Sequence, residues 1–151
     1  MNLRRVRPGD WAVGVCGAVL IGSLWLPWYS AAGHDFNAWQ TMAVNDVLLF
    51  IAGGFGVAVV IAGLTQASGA IPIATSVFAA LFGLLASILA LVRLIWPPHG
   101  LDRAAGVWIG TAAALALAVA ALRLLRDERR GAPGLAQVEI TQLPAPRGNG
   151  A

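Results

Sequence analysis

Lysine is absent from this chain of 151 residues, cysteine occurs once and tyrosine once, and only 11% of residues carry a charge. Each scarcity excludes something. One cysteine, Cys16, rules out a disulfide framework or a cysteine metal site within a single chain. The net charge of +3 comes from arginines near the two ends, so it says little about nucleic acid and more about membrane orientation, and no nucleic-acid partner is expected. The absence of lysine, together with heavy use of Ala and Gly, matches the codon bias of a GC-rich bacterial genome. With 58% apolar residues and a mean hydropathy of +0.75, the solvent to expect is a bilayer.

Four apolar runs are long enough to cross a hydrocarbon core of roughly 30 Å as helices. They cover residues 11–29, 47–65, 70–95 and 106–125. The first follows Arg4, Arg5 and Arg7, and a cleaved signal peptide ending near Ser30-Ala31-Ala32 is its rival reading. Trp25, Pro27, Trp28 and Tyr29 crowd the place where such cleavage needs small residues. A lipoprotein signal is excluded, because Val13-Gly14-Val15 puts no small residue directly before Cys16. Gln66 to Gly69 joins the second and third runs so tightly that an antiparallel hairpin is expected. Pro72 then falls in a first turn, where its missing N–H costs least, and Pro97 and Pro98 end the third run.

The arginines set orientation. With Arg4, Arg5, Arg7, Arg123, Arg126, Arg129 and Arg130 on the cytoplasmic side, only Arg93 and Arg103 lie outside, which the positive-inside rule favours. Residues 1–10 and the tail 126–151 are then cytoplasmic, residues 11–125 form the membrane domain, and residues 30–46 form an outer loop. Trp25, Trp28, Tyr29, Trp96 and Trp108 fall at the outer interface and Trp11 at the inner one, as an aromatic belt requires. Within the outer loop Phe36, Trp39 and Ala43 recur at helical spacing, with Gly33 as a turn and Asp35 as a cap, so a short interfacial helix is expected there. Asn45 and Asp46 stand at the start of the second helix, where a carboxylate meets free N–H groups. The Pro-rich tail from Gly131 is expected to be disordered. Its Leu135, Val138, Ile140 and Leu143 offer a segment that could add to a partner's sheet.

The fold expected is all-α, a four-helix transmembrane bundle with a short outer interfacial helix. Asp46 and Arg93 end two helices on the same outer side and form a candidate interfacial ion pair, set against separate roles as a helix cap and a snorkelling side chain. Gly106, Gly110, Ala114 and Ala118 make a four-residue ladder that lets helices approach closely, the candidate packing face. Similar ladders run through Gly14, Ala18 and Gly22, through Gly54, Ala58 and Ala62, and through Ala79, Gly83 and Ser87. His34, Asp35, Asp46, His99 and Asp102 share the outer side, but there is no H-E-x-x-H motif or cysteine pair and the two histidines lie in loops, so no metal site and no cofactor is expected. No serine has a nucleophile-elbow context and the glycines of residues 53–56 lie inside an apolar helix, so neither hydrolase nor nucleotide chemistry is indicated.

The motifs Arg7-Pro8-Gly9-Asp10-Trp11, Leu26-Pro27-Trp28-Tyr29, Ala38-Trp39, Asn45-Asp46-Val47-Leu48-Leu49 and Arg93-Leu94-Ile95-Trp96-Pro97-Pro98 resemble those of small four-span integral membrane proteins of high-GC, actinobacterial-type bacteria. That group has no assigned activity, so the resemblance implies topology and no catalytic residue. Claudin-like proteins share the long outer loop but carry a loop cysteine pair that is missing here. The function expected is non-enzymatic: a structural or accessory protein of the cell membrane, working through contacts with lipid, another membrane protein or its own copies. A small oligomeric transporter or channel is the alternative, and a lipid-modifying enzyme, which requires the outer His and Asp residues to converge, is a third.

Overall fold

The computed structural model describes residues 8–41, 43–65 and 70–130. The tail from Gly131, the connection 66–69 and the arginines of residues 4–7 lie outside the described residues. The chain runs α1 (Pro8–Ser23), β1 (Pro27–Ala31), β2 (His34–Asn37), α2 (Ala38–Thr41), α3 (Ala43–Thr65), α4 (Ala70–Ile95), β3 (Asp102–Arg103) and α5 (Ala105–Arg130). It is mostly helical, with a three-stranded antiparallel sheet in the order β2-β1-β3.

Among the described residues three helices are long and apolar enough to cross a membrane, at Val44–Thr65, Ala74–Ile95 and Ala105–Asp127. The chain is on that ground a membrane-embedded, multi-pass protein. The first helix is a correction to the expected span over residues 11–29. It stops at Ser23, and 16 residues rise only about 24 Å. Leu24, Trp25 and Leu26 donate to the carbonyls three residues back, from Ile21, Gly22 and Ser23, so the last turn tightens. Pro27 cannot continue the helix and opens β1 instead.

The helices form a closed ring of neighbours, α1 against α3 and α5, and α4 against the same two. Their shared interior holds Val13, Leu20, Leu24, Leu49, Val59, Ala86, Leu117 and Leu124. The backbones of α1 and α3 approach closely at Gly17 and Gly53. A Cβ on Gly17 would lie 2.5 Å from the Gly53 carbonyl oxygen, and one on Gly53 would lie 2.8 Å from that of Gly17. Such reciprocal contact supplies dispersion where lipid gives helices no hydrophobic reason to associate. Gly14 meets Val60 while Gly53 meets Ile21, so the two helices run antiparallel. The contact uses Gly14, Gly17, Gly53 and Gly56, whereas the ladder residues Ala18 and Gly22 are exposed.

The residues between α1 and α3 form a cap, and it is not the interfacial helix that the spacing of Phe36, Trp39 and Ala43 suggests. Ala32 and Gly33 both have positive φ, 49° and 80°, the backbone of a primed two-residue turn that matches strand twist. β1 and β2 therefore close as a hairpin, with Tyr29 opposite Phe36 and Ala31 opposite His34. The helix that follows is a single turn, and its cap is Asn37, with Asp35 exposed on β2. Asn37 Oδ1 accepts from the Gln40 N–H and Gln40 Oε1 accepts from the Asn37 N–H, each at 3.1 Å, a reciprocal capping box.

Candidate functional site

At the sheet end of the helices, polar groups from three distant parts of the chain converge. Tyr29, on β1, is fully buried, and its hydroxyl donates to the main-chain oxygen of Arg93 near the end of α4, 3.0 Å away. Burial raises the phenol above its ordinary pKa, against the opposing fields of Arg93 and Arg103. Arg103, on β3, donates from Nε to the Leu94 oxygen at 2.6 Å and from Nη2 to the Ile95 oxygen at 3.1 Å. A cation thus closes the last turn of α4, whose terminal carbonyls have no partners within the helix.

The Arg93 guanidinium lies against the carboxamide of Asn45. With the amide oxygen turned toward it, Asn45 accepts from Arg93 Nη2 at 3.2 Å and from Nε at 3.0 Å. The adjacent residue, Asp46, is fully buried, and neither carboxylate oxygen has a hydrogen-bond partner among the described residues. Of the expected pair, then, the structure places Arg93 on Asn45 and leaves Asp46 bare beside it. Asp46 is also not a cap, because α3 begins three residues earlier at Ala43.

The candidate packing face faces inward. Gly106 lies against the Pro27 carbonyl and the Trp28 ring, and Gly110 against the same ring and Ser23 Oγ. Ala114 is buried and its carbonyl accepts from Ser87 Oγ at 2.9 Å. Ala118 packs on Gly83 of α4. Trp28, expected in an interfacial belt, fills this seam with its Nε1 donating to the Ser23 oxygen at 2.7 Å. Trp11, Trp25, Trp39, Trp96 and Trp108 are the exposed tryptophans, and Trp25, Trp39 and Phe50 form a surface chain with ring centroids 5.9 and 6.0 Å apart.

His34, Asp35, His99 and Asp102 are exposed, and Asp46 is buried. Among the described residues no three His, Cys, Asp or Glu side chains gather as metal ligands. Three buried helix hydroxyls bond to helix carbonyls: Ser23 to Leu20, Ser87 to Gly83 and Ala114, and Thr111 to Val107. Asn45 and Tyr29 are the participants that sequence reasoning missed. A polar residue next to the only acid of an apolar helix was the available signal for the first. The single tyrosine, close to a proline that ends a helix, was the signal for the second.

No protein-family model, no curated protein and no solved structure matches this chain.

Proposed function

We propose that this chain is a non-enzymatic structural or accessory protein of the cell membrane, crossing it four times with both termini cytoplasmic and acting through helix contacts. The observation that carries this reading is the face that the α1 and α3 pair leaves uncovered. In antiparallel helices, the residues that follow two facing glycines turn to the same side of the pair. Ala18 follows Gly17 and Gly54 follows Gly53. Ala18 and Gly22 are exposed, and a Cβ on Gly22 or Gly54 would meet nothing within 4 Å. A helix of another membrane protein, or of a second copy, can approach closely there, whereas the Gly106 to Ala118 face is already occupied.

Support for the fourth span comes from α1 lying alongside two of the apolar spans, with Gly14 on Val60 and Gly17 on Gly53 of α3. Support for the orientation comes from the sequence, with Arg4, Arg5 and Arg7 preceding α1 and Arg123 and Arg126 falling in the last turns of α5. A small oligomeric transporter or channel is the second reading, favoured by one feature, the buried carboxyl of Asp46. Hydroxyls that bond to helix carbonyls line no polar path, which argues against it.

The test is extraction in mild detergent followed by native mass measurement, for wild type and for Ala18→Leu and Gly54→Leu. A bound partner or a defined oligomer in wild type, lost in both variants, supports the proposal. A lipid-bound monomer throughout, or complexes that neither variant alters, rejects it.

A further inference from the structure

The bare carboxyl of Asp46 goes beyond that reading and does not depend on any partner. One guanidinium lies on the Asn45 amide of α3, and the residue that follows Asn45 is the one whose carboxyl is buried and bare. A carboxylate is the stronger partner for a guanidinium, since charge on both sides shortens and strengthens the bond. An ionised carboxylate that is wholly buried and accepts no hydrogen bond is among the costliest groups a fold can hold. The arrangement is coherent when Asp46 is a neutral acid, and then the amide is the better acceptor.

We infer that Asp46 is a proton-binding site at the sheet end of the helices, and that its proton decides whether Arg93 rests on Asn45 or on Asp46. With the proton bound, Arg93 stays on the amide. With the proton lost, the carboxylate draws the guanidinium from the amide toward the next residue of α3, a move that a long, flexible side chain makes by rotation. Tyr29 holds the Arg93 main-chain oxygen, and Arg103 holds the two carbonyls that follow it. The backbone of α4 therefore stays fixed while the side chain swings.

The surroundings leave few other charges to take part. On α4 the charged group at this end is Arg93, and on β1 the titratable one is Tyr29. Arg103 of β3 is committed to the α4 carbonyls. The sheet-proximal half of α1 and the single turn of α2 carry no charged side chain, and the charges of α5 lie at its far end, from Arg123 onward. His34, Asp35 and Asp102 are exposed on the sheet. His99 is exposed in the loop before β3; among the described residues the proton site thus answers to one cation, and it senses the pH of the compartment that the sheet faces.

The experiment uses the full chain in liposomes with ¹³C-carboxyl-labelled aspartate, followed by infrared spectroscopy across a pH titration. A protonated-acid carbonyl band with the aspartate isotope shift is expected at low pH, disappearing as pH rises, and absent from Asp46→Asn. Asp46→Glu keeps the acid but moves it out of the labelled pool, so it assigns the band if the Asn variant does not fold. Thermal double-mutant cycles supply the second readout. Asn45→Ala and Arg93→Gln should be coupled at low pH and lose that coupling at high pH. Asp46→Asn and Arg93→Gln should become coupled only at high pH. Absence of an Asp46 acid band at every pH where wild type is folded overturns the inference, and so does an Asp46 to Arg93 coupling that does not vary with pH.

Discussion

The Tyr29 hydroxyl donates to the Arg93 main-chain oxygen across 64 positions of sequence, tying the first strand of the cap to the end of α4. Tyr29→Phe removes that bond, keeps the ring in its buried place and leaves a helix-terminal carbonyl without a donor. The expected cost is about 1 kcal/mol, read as a lower melting temperature in detergent with unchanged helicity.

The same residue gives a pH dependence with a definite sign. Burial raises the phenol, so its contribution to stability is complete below the ordinary tyrosine pKa and is lost as pH rises through the raised value. Because the chain has one tyrosine, phenolate absorbance should show a single transition displaced to the alkaline side of free tyrosine. Tyr29→Phe should remove that transition together with the matching fall in stability.

Gly17→Ala and Gly54→Ala should differ sharply although both replace a helical glycine next to a tight contact. A methyl on Gly17 meets the Gly53 carbonyl, so a backbone has to move, at about 1–3 kcal/mol. A methyl on Gly54 meets open space and should leave stability within about 0.5 kcal/mol. Unfolding in detergent distinguishes the two.

Arg103→Gln should loosen the last turn of α4. The loss combines hydrogen bonds to two carbonyls with a cation at a helix C-terminus, about 1 kcal/mol for the exposed group that Arg103 is. Faster amide hydrogen exchange confined to the α4 terminus and β3, with α1 and α3 unaffected, would identify it. An effect spread over all helices would show that Arg103 does more than cap.

What the sequence made legible was whatever depends on length and composition. Apolar runs of span length appear as α3, α4 and α5, and α4 ends just ahead of Pro97 and Pro98 as a proline-terminated helix must. The end of α1 was hidden because Leu24 to Tyr29 is as apolar as a span, and only Pro27 marks the change. The hairpin was hidden because Ala32-Gly33 is a weak form of the turn signal and the strands on either side are short. Asp46 and Arg93 stood out as charges at the borders of apolar helices. That the guanidinium meets Asn45 was not readable, since neighbouring residues on a helix point about 100° apart and only the packed partner selects between them.

Strand β1 has two neighbours of very different sequence distance. β2 follows it directly, whereas β3 is synthesised only after α3 and α4. During translation one edge of β1 is thus closed at once while the other, with its open N–H and C=O groups, waits for two more helices to enter the membrane. A chaperone or a neighbouring strand has that interval in which to engage the edge, and closure by Asp102 and Arg103 is a late event that reports that α4 has been inserted in the right direction.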